Sequence, residues 1–198
     1  TTGANNTAIG TTAMLDNTTG QQCVAVGSNA MANNTTANDN TSVGAYSMNS
    51  NTTGTTNTAL GRNALRTNTT GSDNTALGYN ALYYNTGIYN TAVGSLALQA
   101  NTSGQQNVAV GRATLLGNTT GNYNTASGYN ALGNVTTGQQ NVAVGRLAGS
   151  GLTTGGNNTF LGYYARPSTA AQNNTNVIGH NVVGAAGYTT LGVSTSDI

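Results

Sequence analysis

The chain has 198 residues, of which only 5% are charged, and its formal net charge is +1. Ordinary globular proteins carry about 25% charged residues. This composition excludes a phosphate-binding surface for nucleic acid and a polybasic surface for anionic lipid. No apolar run approaches the roughly 20 residues that cross a bilayer. We therefore expect no nucleic-acid partner and no membrane insertion. Nothing at Thr1 resembles a secretion signal, and we expect a processed product or a segment of a longer chain.

One short motif recurs from end to end and is clearest at residues 74–82, Asn-Thr-Ala-Leu-Gly-Tyr-Asn-Ala-Leu. Its glycines, called anchor glycines here, are mostly 17 residues apart, with one step of 16 after Gly78 and one of 13 after Gly179. This period is too short for a helical repeat or a propeller blade and predicts one turn of a β-solenoid. The anchor glycines are Gly10, Gly27, Gly44, Gly61, Gly78, Gly94, Gly111, Gly128, Gly145, Gly162, Gly179 and Gly192.

The predicted fold is all-β: a single-chain parallel β-solenoid (β-roll) with 17-residue coils and about eleven rungs. Residues 1–165 are predicted to form the regular coils and residues 166–198 the irregular terminal coils and an exit segment. The boundary rests on Pro167, the only proline, and on the loss of the usual Leu or Met at Gly149, Arg166 and Val183. Strands about 4.8 Å apart would give a rod on the order of 50 Å long.

Each coil begins with a short strand such as residues 107–110, Asn-Val-Ala-Val, which ends at an anchor glycine. Alternation places Val108 and Val110 on one face and Asn107 and Ala109 on the other. We interpret the aliphatic residue before each glycine and the Leu or Met after it as the inward pair. A second short strand is expected at pairs such as Ala64 and Leu65. The coil is predicted to close through Asn-Thr-Thr-Gly, whose Asn and Gly tolerate left-handed turn geometry.

Alanine recurs in two columns, and a solvent-facing position has no reason to stay alanine coil after coil. A close-packed face does, so we predict side-by-side homotrimers that bury these columns. The alternative is that both columns lie at narrow corners inside one chain. The second column runs from Ala13 to Ala165, and the first contains the predicted oligomer interface: Ala59, Ala76, Ala92, Ala109, Ala126 and Ala143.

The position after the anchor glycine is the most variable in the repeat and is predicted to face outward. Aromatic rings beside guanidinium groups suit sugars or acidic glycans, through stacking and bidentate hydrogen bonds. Pairing with a neighbouring chain, or simple solubilisation of the rod, is the alternative role. The predicted ligand-binding residues are Arg62, Tyr79, Arg112, Tyr129, Arg146 and Tyr163.

Few residues of the sequence could form a catalytic or metal-binding site. Asp16, Asp39 and Asp73 occupy different phases of the repeat, whereas hydrolysis on a solenoid needs paired carboxylates. His180 is the only histidine, which disfavours a triad or a metal site. We expect no enzymatic activity, no metal and no cofactor. Cys23, the only cysteine, takes the place of an asparagine in the repeat, and we interpret it as a ladder substitution rather than a reactive thiol.

The phrases Asn-Thr-Ala-Val-Gly at residues 90–94 and Asn-Val-Ala-Val-Gly at residues 107–111 resemble the head repeats of trimeric autotransporter adhesins, the YadA-like head. They also resemble phage tail-fibre repeat arrays that precede a trimerising chaperone domain, and residues 174–178 and 188–198 resemble the exit from such an array. The resemblance covers nearly the whole chain. It implies a parallel β-roll, three chains packed side by side, and binding to a host surface or matrix.

These observations predict a structural or adhesive fibre module that is extracellular, on a cell surface or on a virion. Its partners would be itself and a cell-surface glycan or matrix. Ice binding is an alternative, because outward threonine ranks on solenoids bind ice. That rank is interrupted by Val24, Val108 and Val142, which we interpret as the mark of a buried or half-buried column. A self-assembling filament without a receptor is the third possibility. The threonines of the rank are Thr7, Thr41, Thr58, Thr75, Thr91 and Thr125.

Overall fold

The structure, a computed structural model, describes residues 2–193 and is a parallel β-solenoid of about eleven turns, without a helix in that range. Ten three-residue strands open successive coils, and the last coils carry longer or additional strands. The strands are β1 Thr7–Ile9, β2 Val24–Val26, β3 Thr41–Val43, β4 Thr58–Leu60, β5 Thr75–Leu77, β6 Thr91–Val93, β7 Val108–Val110, β8 Thr125–Ser127, β9 Val142–Val144, β10 Thr159–Leu161, β11 Arg166–Pro167, β12 Asn176–His180, β13 Val183–Gly184 and β14 Thr189–Val193.

The strands form one long parallel sheet in the order β1 to β10, then β12 and β14. Equivalent residues pair directly: Ala59 lies opposite Ala76, and Ala109 opposite Ala126. The prediction of an all-β parallel solenoid with 17-residue coils is therefore confirmed. In the terminal coils β11 and β13 form a separate two-stranded sheet. The end of the predicted exit segment, residues 194–198, lies outside the described residues.

The sequence analysis predicted the wrong inner face for the strands. Ala109 is fully buried, whereas Val110 exposes 41% of its surface and Leu60 exposes 51%. The aliphatic residue before the anchor glycine therefore points outward, and the asparagine and alanine point inward. The Leu or Met later in the coil is inward as predicted, as Met31, Leu65 and Leu98 show by complete burial.

Two asparagine ladders line the interior. In the first, the Asn40 Oδ1 accepts from the Asn57 backbone N–H of the next coil at 2.8 Å. In the second, the Asn68 Nδ2 donates to Asn51 Oδ1 at 3.0 Å. Stacking identical amides lets most coils satisfy their buried polar groups with the coil beside them, which removes most of the cost of burying them. The exceptions are Asn68 Oδ1 and Asn118 Oδ1, which are buried without a partner.

In the regular coils the segment after the anchor glycine is a series of turns and not the second strand that the sequence predicted. A short second strand is present only in the terminal coils of the described residues, as β11 and β13. Leu65 and Leu82 each have a φ of 50°, a left-handed conformation that bulky residues seldom adopt. The Leu65 N–H still bonds the Ala81 carbonyl of the next coil at 3.0 Å. Inter-coil hydrogen bonds thus continue around the corner, and the leucine side chain is directed into the core.

The closing turn also differs from the prediction. Its left-handed residue is the one two positions before the strand, such as Asp39, Thr56 or Asp73. The closing asparagines belong instead to the second ladder. The anchor glycines do turn the corner as predicted. Gly78 has a φ of +138°, and a Cβ added there would lie 2.7 Å from the carbonyl carbon of Gly94.

Candidate functional site

The candidate site is a strip of exposed side chains at the position after the anchor glycine. Because equivalent residues stack directly, this position forms a column along the rod. Four of the predicted ligand-binding residues, Arg112, Tyr129, Arg146 and Tyr163, occupy successive coils and are exposed. We call these four residues the Arg–Tyr strip. Its outward orientation agrees with the prediction.

The side chains of the strip contact one another. The guanidinium carbons of Arg112 and Arg146 each lie 5.6 Å from the ring centroid of Tyr129, so the two arginines flank one ring. Arg146 also lies 5.3 Å from the Tyr163 centroid and donates to its hydroxyl at 3.0 Å. His180 extends the row by stacking on Tyr163 at 5.1 Å. These contacts order long side chains that would otherwise be mobile in solvent.

Arg62 and Tyr79, the other two predicted ligand-binding residues, are exposed at the same position of earlier coils. Ser95 occupies the intervening coil, so they are separated from the Arg–Tyr strip by a short side chain. The sequence analysis missed a second group of stacked side chains, at other positions of the repeat: Arg66 lies 4.9 Å from the ring centroid of Tyr46 and 5.8 Å from that of Tyr83.

The charge of the rod is asymmetric. From residue 74 to residue 196 the sequence contains three arginines and no aspartate or glutamate. Among residues 74–193, the part of this region that the structure describes, Arg112, Arg146 and Arg166 have no acidic neighbour in sequence. An unneutralised cationic surface favours an anionic ligand over a neutral one.

The predicted oligomer interface is corrected by the structure. Apart from Ala8 and Ala13 in the first coil, the alanines of both columns are fully buried within the single chain, including Ala59, Ala76, Ala92, Ala109, Ala126 and Ala143. They have no surface to offer a second chain, so the interface assignment is wrong for these residues. These positions are alanine because they pack inside the chain, close to the neighbouring coils. This agrees with the alternative prediction, that both columns lie inside one chain.

The outer face of the long sheet carries an aliphatic column instead. The residue before each anchor glycine is exposed or half-buried in every coil, and in most coils it is Val, Leu or Ile. Val144 and Ile178, for example, expose 46% and 40% of their surface. Monomeric proteins seldom expose apolar rows of this length. We call this row the aliphatic column: Ile9, Val26, Val43, Leu60, Leu77, Val93, Val110, Val144, Leu161 and Ile178.

The threonine rank lies beside the aliphatic column on the same outer face. Thr7, Thr41, Thr58 and Thr125 are exposed, and Thr75 and Thr91 are half-buried. The interrupting Val108 and Val142 are also exposed, at 38% each. The interpretation of this rank as a buried or half-buried column is therefore wrong for most of its members, because the inner face is filled by asparagine and alanine.

Cys23 occupies an asparagine position of the first ladder, as its place in the repeat predicted, and it is buried there. Its Sγ is 3.4 Å from the Ala37 carbonyl oxygen, which takes the place of the glycine carbonyl in other coils. Burial is the largest cause that raises the pKa of the Cys23 thiol above its ordinary value, with the nearby Asp39 charge acting in the same direction. A neutral thiol is a poor nucleophile.

Within residues 2–193 no three His, Cys, Asp or Glu side chains gather in a way that could hold a metal ion. The same part of the chain has no helix long and apolar enough to span a bilayer. Comparisons with family models, with curated proteins and with solved structures found no match for the chain.

Proposed function

We propose that this chain is a structural and adhesive module of a fibre and that its Arg–Tyr strip binds an anionic glycan or matrix polymer on a host surface. The observation that carries the proposal is the contact of Arg146 with both Tyr129 and Tyr163. Guanidinium groups supply bidentate donors for carboxylate or sulfate, and the rings supply apolar faces for sugars. Such a role belongs outside a cell, on its surface or on a virion.

The length of the strip supports a polymer rather than a small molecule as ligand. Four stacked coils spaced by about 4.8 Å present donors over roughly 15 Å, close to the span of a few sugar units. The resemblance to adhesin heads and tail-fibre arrays is consistent with this proposal. The buried, repeating core provides the rigid support that holds the strip in line.

Assembly is the second part of the proposal: three copies pack side by side along the aliphatic column. Burying apolar surface contributes about 25 cal/mol per Å², and this row continues over most of the coils of the rod. A second copy of the chain is the occupant best matched to it, because only a partner with the same coil spacing can meet a ladder of that length in register. The column also lacks charged residues, which favours a dry interface.

Binding is tested with acidic and neutral polysaccharides, using hyaluronan, heparin and dextran on a glycan array. Replacing Arg146 and Tyr163 together by Ser should weaken binding of the acidic polymers by at least about tenfold. The matched control replaces Arg62 and Tyr79 by Ser, which removes the same side chains from the same position outside the strip. Equal binding by both folded variants would refute the strip as the site.

Assembly is tested by light scattering on a variant with Leu60, Val110 and Val144 changed to Lys. We expect loss of the trimer, because three buried charges cost far more than the interface can offset. The control places lysine at the exposed Gln105 and Gln139, away from the column. A monomeric wild-type protein, or a lysine variant that assembles normally, would contradict the assembly proposal.

Ice binding is the second candidate function, favoured by the exposure of the threonine rank on a regularly spaced sheet. It would use the same outer face as the proposed trimer, so the two candidates exclude each other on that face. Thermal hysteresis and ice shaping by a monomeric protein, both lost when Thr58 and Thr125 are changed to Lys, would establish it. A trimer without either effect would eliminate it.

A further inference from the structure

A depression lies beside the C-terminal end of the Arg–Tyr strip, with a volume of about 660 Å³. Small residues create it. Where earlier coils carry Arg66, Tyr83 and Tyr84, a later coil carries Ser150 and Gly151 at the corresponding positions, and both line the depression. The side of the solenoid is therefore hollow at this point. The volume is within the range of about 300–1,000 Å³ typical of small-molecule sites.

Arg166 and Tyr164 form the charged wall of the depression. The guanidinium carbon of Arg166 lies 4.3 Å from the Tyr164 ring centroid, and its Nη1 donates to the Tyr164 hydroxyl at 2.6 Å. This contact uses one donor and leaves the rest of the guanidinium fork for a ligand. Within residues 2–193 no carboxylate pairs with Arg166, since the nearest acidic residues in sequence are Asp73 and Asp197.

The loop that carries this wall is held in place by a buried amide. Gln172 Oε1 accepts from the Ser168 N–H at 2.7 Å and from the Ser168 hydroxyl at 2.8 Å, and its Nε2 donates to the Gly184 carbonyl at 2.9 Å. The pairing of β11 with β13 fixes Arg166 opposite Val183. The depression is thus pre-organised, which lowers the entropy cost of binding a ligand.

The other residues that line the depression favour a carboxylated sugar over a phosphate. Asn134, Ser150 and Thr169 offer groups that both donate and accept hydrogen bonds, and Leu147 adds apolar surface. The Ser168 hydroxyl donates to Gln172 and is left to accept. A phosphate needs donors alone, whereas a sugar has hydroxyls that donate and accept and C–H faces that pack on apolar groups. A single guanidinium fork matches one carboxylate. The combination fits a sugar that carries a carboxylate.

We infer that this depression is a binding subsite for one carboxylated sugar residue, with Arg166 as the carboxylate ligand. The ring centroids of Tyr163 and Tyr164 are 6.2 Å apart, so the subsite continues directly from the Arg–Tyr strip. The inference rests on the proposed glycan binding and names the chemical class of the glycan: an acidic polysaccharide whose uronic or nonulosonic acid unit enters the depression.

The test is saturation-transfer NMR on the full chain with glucuronic acid, galacturonic acid and N-acetylneuraminic acid as probes and glucose as the neutral comparison. At least one acidic sugar should bind at millimolar concentration. Arg166→Gln should weaken that binding by at least about tenfold, and so should Ser150→Tyr, which fills the depression without removing charge. The matched control is Arg66→Gln, another arginine that lies over tyrosine rings but does not line this depression.

Three results would overturn the inference: no acidic sugar binds the wild-type protein, a folded Arg166→Gln variant binds as well as wild type, or glucose binds equally well. The variant with Arg146 and Tyr163 changed to Ser separates this inference from the proposed function. If that variant loses polymer binding while the monosaccharide still binds, both stand. If the wild-type protein binds acidic polymers but none of the monosaccharides, the subsite is refuted and the strip remains.

Discussion

The side-chain amides of Asn57 and Asn68 donate to one acceptor, the carbonyl oxygen of Gly71, at 2.9 and 2.8 Å. The first asparagine opens the coil and the second closes it, so this shared carbonyl joins the two ends of the coil. The arrangement repeats at Gly104, which accepts from Asn90 and Asn101 at 2.8 and 2.9 Å. The asparagine ladders therefore close each coil as well as connecting it to the next.

Replacing an asparagine in the middle of the second ladder should destabilise the protein more than replacing one at its end. Asn101 makes three ladder bonds: its Nδ2 donates to Asn85 and to Gly104, and its Oδ1 accepts from Asn118. We expect Asn101→Val to lower the free energy of unfolding by about 2–4 kcal/mol, measured by denaturant titration.

Asn118→Val is the matched comparison. The Asn118 Oδ1 is already buried without a partner, because Val135 stands where the next asparagine would be. Asn118→Val removes this unpaired oxygen but leaves Asn101 Oδ1 without its donor. We therefore expect the free energy of unfolding to fall by about 1 kcal/mol less than in Asn101→Val. Equal costs for the two variants would mean that the additional ladder bond of Asn101 contributes no net stability.

The anchor glycines should be intolerant of a methyl group because of crowding as well as conformation. At Gly78 a Cβ would meet the Gly94 carbonyl at 2.7 Å, whereas at Gly187, where φ is +76°, it would meet nothing within 4 Å. We expect Gly78→Ala to cost at least about 2 kcal/mol more stability than Gly187→Ala. Similar thermal midpoints for the two variants would show that the coils separate without strain.

Stability should depend on the ionisation of Cys23. The pKa of the Cys23 thiol is raised in the folded state, so the thiol loses its proton more readily in the unfolded chain. The free energy of unfolding therefore falls as pH rises above the ordinary thiol pKa of about 8.5. Below that range the thiol is neutral in both states and no loss occurs. Denaturant titrations at rising pH should show a larger loss for wild type than for Cys23→Asn.

Cys23→Asn should also be more stable than wild type near neutral pH, because it restores an amide to the first ladder. The thiol itself should resist iodoacetamide in the folded protein and react once the chain is unfolded. A Ser28→Cys substitution in the Cys23→Asn background places an exposed thiol nearby as the control. Equally fast labelling of the two folded proteins would contradict the burial argument.

The terminal loop should loosen when its buried amide is lost. Gln172→Met keeps the volume but removes the bonds to Ser168 and Gly184, so we expect faster hydrogen exchange at residues 166–171 and 182–184. Exchange in the central coils should stay unchanged. Gln139→Met, at an exposed glutamine, is the control, and equal exchange in both variants would show that Gln172 does not hold the loop.

Much of the fold follows from the repeat itself. The spacing of Gly61, Gly78 and Gly111 predicted the coil length, the parallel register and the sharp corner at each glycine. Their backbone conformation and the close approach of the next coil leave no room for a side chain. The outward position of Arg112 and Tyr129 followed from the variability of their column. The depression at Arg166 was not predicted, although the small residues Ser150 and Gly151 were its signal.

The alternation of residues in the sequence is enough to give the strand two faces, with Asn107 and Ala109 on one and Val108 and Val110 on the other. Which of the two faces is buried depends on how the coils stack. A single coil would bury the valines, because an isolated asparagine loses its bonds to water when it is enclosed. In the stack each asparagine finds an amide or backbone partner one coil away, so the polar face fits inside and the aliphatic residues are left on the surface.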